Sequence, residues 1–187
     1  VTGAPALHLA VVAAVGAERL VEILISRRNL RRAAARGGFV ADRRTFWEVA
    51  AFQVAWLAAS AAEPVLLPRP FVAPLAVAMI AALIACQGLR YWAVATLGDR
   101  WNLSIVVVPG EIAVSTGPYR FVRHPNYLAV MVETLALPLL HTAWVTATLS
   151  LLVAVPIWRR RVRVEEKALA RHSDYDRVLG TTPRGLP

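Results

Sequence analysis

The chain has 187 residues, is 57% hydrophobic and carries a formal net charge of +9, a pairing unlike that of an ordinary soluble domain. A mean hydropathy of +0.51, with the basic residues clustered between long uncharged runs, argues against a nucleic-acid binder, whose basic residues spread along a polar face. The single cysteine, Cys86, lies in an apolar run, which leaves no disulfide framework and no thiolate metal site.

Crossing a bilayer takes roughly 20 apolar residues. The first candidate span is about 4–25, "APALHLAVVAAVGAERLVEILI"; with no basic residues ahead of it, it reads as a retained span and not a cleaved signal peptide. The second is about 46–67 and the third about 71–97. A connection follows over 98–126, where "SIVVVPGEIAV" is β-like with Pro109-Gly110 as a turn signal, so a short hairpin or an extended segment is expected. Residues 127–158 are too long for one untilted span and suit a short helical hairpin that reverses in "LPLLHTAW" (137–144), with His141 near its tip. The tail, 159–187, continues the fifth span as a helix whose one face carries Val162, Glu165, Glu166 and Leu169. The expected fold class is all-α integral membrane with about five transmembrane helices, as a single domain 1–187.

Flanking charge sets the expected orientation. The first connection holds Arg27, Arg28, Arg31, Arg32, Arg36, Arg43 and Arg44, whereas the second holds only Arg69 and the hairpin tip has none. The third connection holds Arg100, Arg120 and Arg123, and the tail is densely basic from Arg159 to Arg184. Odd connections and the C-terminus are therefore expected in the cytoplasm, with the N-terminus outside. All charge-rich segments then share one side, where any polar chemistry should lie.

Two constellations stand out there. In "GPYRFVRHPNY" (117–127), Pro125 suits the first turn of a helix. That sets His124 and Asn126 beside free N–H groups that favour an anion or carboxylate. The plainer alternative is that Tyr119, Arg120 and Arg123 anchor the helix at the headgroup level. Arg161 and Glu165 fall one turn apart on the tail helix. They are either a surface ion pair of little energetic weight or a guanidinium and a carboxylate facing the pocket of Arg123 and His124. Within the spans, Glu18, Arg19, Glu22, Glu48, Gln53, Arg90 and Glu133 interrupt the apolar pattern. Several lie close enough to an end to snorkel, but Glu133 lies two turns into the fourth span and is singled out. His8, His141 and His172 have no metal-ligand spacing, so no metal site is expected. The chain lacks G-x-G-x-x-G, H-E-x-x-H and G-x-S-x-G, which argues against a Rossmann nucleotide domain, a zinc protease and a serine hydrolase.

"GPYRFVRHPNY", followed about 35 residues later by "RVRVEE" (161–166), resembles the isoprenylcysteine carboxyl methyltransferase family, over roughly 100–180. The resemblance implies an all-α membrane enzyme with S-adenosyl-L-methionine in a cytoplasmic-side pocket closed by the loop and the tail. It implies cofactor contacts from Glu111, Ile112, Ala113, Val114, Tyr119, His124, Pro125, Asn126, Tyr127 and Glu165, with Arg161 orienting the substrate's oxyanion. One departure is Ala129, where relatives often have glycine. Phospholipid N-methyltransferases and some sterol reductases share parts of these blocks. A second resemblance, in 18–38 and "LGDRWNLSIVVVPG" (97–110), is to a bacterial branch that methylates alkylpyrones or alkylresorcinols.

The expected reaction is transfer of a methyl group to an oxygen of a lipophilic small molecule or prenylated substrate held among membrane lipids, with no nucleic-acid partner. A carboxylate or acidic enol needs only orientation by Arg161. A phenol, with a pKa near 10, calls for a base, and Glu133 is the candidate. The competing readings are a phospholipid N-methyltransferase and a non-catalytic scaffold whose basic loops bind anionic lipid.

Overall fold

The computed structural model describes residues 4–67 and 69–185, so the outermost ends of the 1–97 and 159–187 segments lie outside the described residues. The architecture is mostly helical. The first helix, α1 (Ala4–Ala35), runs well past the expected end near residue 25, because the Arg- and Ala-rich stretch after Ile25 consists of good helix formers. It stops where Gly37 takes φ 79 and the Gly38 amide turns back to Ala33 O at 2.9 Å.

Strand β1 (Phe39–Asp42) pairs antiparallel with β2 (Ile105–Val107), in the register Phe39↔Val107, with a bulge between Val40 and Asp42. Of the two forms expected for 104–114, the structure has an extended segment and not a local hairpin. Pro109-Gly110 does turn, with the Glu111 amide 3.3 Å from Val108 O, but residues 111–115 form no strand and β2 finds its partner in the first connection. The Asp42 carboxylate then accepts the amides of Arg44 and Thr45, which starts α2 (Arg44–Leu66).

Helix α3 (Ala73–Leu97) opens with Pro74 in its first turn and ends at Gly98, φ 54. Helix α4 (Pro125–Leu139) likewise begins on a proline. A tight turn with Thr142 at φ 56 leads into α5 (Trp144–His172), which runs unbroken into the tail, and α6 (Tyr175–Leu179) closes the order. The free amides at the start of α5 are not left bare. Glu63, at the end of α2, accepts Val145 N at 3.2 Å and Thr146 N at 2.6 Å.

By length and composition two helical stretches suffice to cross a membrane, Arg44–Leu66 and Ala73–Arg100. Helix α1 carries Glu18, Arg19 and Glu22 in its middle, α4 has 15 residues, and α5 is apolar only in its first half. Large apolar side chains, among them Leu20, Leu24, Val54, Val77, Ile84 and Leu152, face outward, as lipid contact requires. Because lipid removes the hydrophobic drive between helices, close packing must hold them. Small buried residues (Ala136, Ala147, Ser150 and Ala154) let α4 and α5 approach their neighbours, around a core of Trp56, Leu83, Leu137 and Trp158.

Candidate functional site

Two cavities meet in the lower half of the bundle. The first is walled by β2 and the loop after it, by the 119–127 segment, by α5 and by the start of α6, and encloses about 1150 Å³ of non-protein space including its open mouth. Glu111, Ile112, Ala113, Val114, Tyr119, His124, Asn126, Tyr127, Arg161 and Glu165 all line it. Pro125 does not: it is buried as the first residue of α4. Ala129, the departure from the family pattern, packs in the core and lines neither cavity.

The second cavity lies among α1, α2, α3, α4 and α5 and is mostly apolar, with Ile23, Phe46, Val49, Val54, Leu57 and Trp158 in its wall. Five residues line both: Trp101, Asn102, Asn126, Tyr127 and Arg161. The two spaces therefore share one partition, and Arg161 is its only cation.

Arg161 is buried, 3% exposed, and fixed on two sides. Its Nε donates to the Tyr127 hydroxyl at 2.9 Å and its Nη2 to Leu103 O at 2.5 Å, while Nη1 has no partner. The Tyr127 hydroxyl in turn donates to Glu165. The i, i+4 pair read from the sequence is thus bridged by a phenol, and no direct Arg161–Glu165 ion pair occurs among the described residues. The Tyr127 ring is held by stacking on His124 (5.3 Å between centroids, 8° between planes) and by contact with Trp158 at 4.8 Å.

Glu166 does a separate job. It accepts from His124 Nε2 at 3.2 Å, from Arg123 Nη1 at 3.3 Å and from Arg184 Nη2 at 2.7 Å. Burial alone would oppose its ionisation, but the His124 and Arg184 hydrogen bonds prevail and pull its pKa down to about 2. Arg123 also donates its backbone amide to Pro183 O and Nε to Thr182 O. The end of the chain is thereby tied down against the motif loop. The opposite wall is strapped too: Gly110 N donates to His172 O at 3.0 Å and Ala113 N to Asp174 at 2.7 Å. Burial raises the pKa values of Tyr119 and Tyr175, so both stay neutral hydroxyls on the cavity wall.

Glu133 is not brought to either cavity. Arg19 Nη2 reaches both its oxygens at 2.8 Å, and Gln87 Nε2 lies 3.3 Å away. Arg19 also holds Glu22 at 2.7 Å, and Arg90 grips Glu22 through Nε and Nη2. These mid-helix ionisable groups pair with one another, an arrangement invisible until α1, α3 and α4 are packed together. Glu166 had a visible signal, as the second carboxylate of "RVRVEE". Trp101 and Asn102 lie in the 97–110 stretch that carries the second resemblance, which implies no role for either. Among the described residues no group of three or more metal-ligating side chains gathers.

Comparison with known proteins bears on this geometry. The model of the isoprenylcysteine carboxyl methyltransferase (ICMT) family matches residues 77–171, about half of the chain. A Bacillus subtilis (strain 168) protein, "Uncharacterized protein YpbQ", is 32% identical over 156 residues, covering 83% of this chain and 92% of its own. An uncharacterized protein of Haemophilus influenzae is 28% identical over 92 residues, 49% of this chain and 54% of its own. No solved structure matches.

Proposed function

Since the chain belongs to the isoprenylcysteine carboxyl methyltransferase family, a family of membrane methyltransferases, we propose that it transfers a methyl group from S-adenosyl-L-methionine to an oxygen of a lipophilic acceptor. The observation that carries the reading is the shared partition with Arg161 Nη1 unpartnered in it. The cofactor occupies the polar cavity, the acceptor occupies the apolar one, and the two meet at Arg161.

The donor set fits the cofactor. Asn102 Oδ1 and Asn126 Oδ1 are buried without partners on the wall and are suited to amino hydrogens. Glu165 and the Tyr119, Tyr127 and Tyr175 rings suit a group with two cationic centres. Bound there, S-adenosyl-L-methionine supplies an electrophilic sulfonium methyl.

The chain's own residues orient and desolvate. Arg161 holds the acceptor oxygen through Nη1 and favours its anionic form. Tyr127 and Leu103 O fix the guanidinium so that little reorganisation is needed at reaction. Trp101 and Trp158 exclude water from the acceptor side. No proton is routed through Glu133, which is engaged by Arg19. A phospholipid amine would become a cation on methylation beside the Arg161 guanidinium, whereas an oxyanion becomes neutral, so oxygen is favoured over nitrogen. Prenylcysteine carboxylates and acidic alkylpyrone enols satisfy this chemistry as the anions they already are. An alkylresorcinol hydroxyl does so once its proton has passed to solvent. The basic flanks support a site on the cytoplasmic side.

The test is saturable S-adenosyl-L-methionine binding by the detergent-purified chain, followed by labelled methyl transfer to a farnesylcysteine analogue and to an alkylated phenol. A chain that binds anionic vesicles but shows no cofactor saturation would be a scaffold.

A further inference from the structure

A cavity that only had to hold a hydrocarbon tail would be lined by hydrocarbon. Yet the acceptor cavity places Arg19, Glu22, Gln53 and Arg90 among its apolar side chains. Three of them are incompletely satisfied, Arg19 through a partnerless Nε. Arg90 is 3% exposed, and its Nε and Nη2 are spent on Glu22 while Nη1 has no partner. Gln53 Oε1 is buried without a donor. The lining of this cavity thus carries idle donors and, on a different helix from Arg90, an idle acceptor, each unfavourable if left bare.

Resting on the function proposed above, we infer that Arg90 and Gln53 form a second polar station, which reads a hydroxyl group of the acceptor other than the oxygen that is methylated. A hydroxyl accepts from Arg90 Nη1 and donates to Gln53 Oε1, so it answers both vacancies. A carboxylate does not, because the guanidiniums of Arg19 and Arg90 are already matched by Glu22 and Glu133. A pure polyprenyl tail leaves both atoms unpaired. Arg161, Gln53 and Arg90 all line this one cavity, so a single acceptor bound in it faces the partition and the station together.

The test compares 5-pentadecylresorcinol with 3-pentadecylphenol, equal in chain length and differing by one hydroxyl, as acceptors for the full chain in vesicles with S-adenosyl-L-methionine. The expected kcat/KM ratio is about tenfold or more in favour of the resorcinol, beyond the statistical factor of about two for its equivalent oxygens. Gln53→Leu removes the acceptor atom. Arg90→Lys keeps the charge opposite Glu22 but loses Nη1. Each is expected to bring the ratio down to about two. A wild-type ratio near two, or a high ratio unchanged in both variants, overturns the station while leaving O-methylation intact. Failure of the wild type to methylate either lipid overturns the station, and the proposed function falls with it only if the farnesylcysteine analogue is not methylated either.

Discussion

The Nε of Arg161 donates to the hydroxyl of Tyr127 across 2.9 Å, and that one bond joins the partition between the cavities to Glu165 beyond it. A phenol in this place leaves the guanidinium one face free, because Nη1 has no other claim on it. Arg161→Lys keeps the charge but cannot hold three directions at once. It is expected to lower kcat/KM for methyl transfer about 10²-fold or more, with cofactor affinity changed far less, as read by titration calorimetry alongside turnover. Tyr127→Phe removes only the bridging hydroxyl and is expected to cost about tenfold in kcat. Equal turnover in both variants and wild type would remove Arg161 from the mechanism.

Glu166 gives a pH signature. Its pKa is depressed in the folded chain to about 2 from 4.5, so its contribution to stability is present above the unfolded value and is lost as pH falls toward the folded one. The clasp among Arg123, His124, Arg184 and Glu166 should therefore hold at neutral pH and weaken from about pH 4.5 downward. Glu166→Gln is expected to flatten the drop in melting temperature between pH 6 and 3, and to expose the chain end to carboxypeptidase at pH 7. An identical pH profile in the variant would contradict the assignment.

Gly117 opens the motif loop at φ 57, and a Cβ there would lie 2.5 Å from Thr96 Oγ1 and 3.2 Å from Trp92 Nε1. Gly117→Ala combines left-handed strain with a collision against α3. The turn bearing Tyr119 should shift off α3, with cofactor affinity down about tenfold in calorimetry and a lower melting temperature.

Glu63 joins the end of α2 to the start of α5. Glu63→Ala strands the amides of Val145 and Thr146, at a cost of about 2 kcal/mol. Melting in detergent should fall by about 4–8 °C, with KM for the cofactor unaltered, since Glu63 touches neither cavity.

Much of this site could be read from the chain because it is locally encoded. Tyr119, His124, Asn126 and Tyr127 lie within one turn-and-helix segment, and Arg161 and Glu165 are one helical turn apart, so two short stretches supply most of one cavity wall. What escaped the sequence depends on long-range partners. Strand β1 has four residues and meets its mate only after two long helices have intervened. The free-looking carboxylate of Glu133 is neutralised by Arg19 on α1, and nothing in the local pattern around either residue announces the other. The bridging role of Tyr127 between Arg161 and Glu165 was likewise hidden, because helical spacing alone suggests a direct pair.

The shared partition also bears on kinetics. Each cavity has its own outer walls, loops and tail for one and the α1, α2 and α5 faces for the other. Neither reactant then has to pass through the other's chamber to arrive or depart. Steady-state data on this reading should show random order of addition, with the demethylated cofactor competing against its parent and remaining non-competitive toward the lipid. The methylated lipid can stay in the hydrocarbon phase while the spent cofactor returns to water, so the two products are separated by phase as they form.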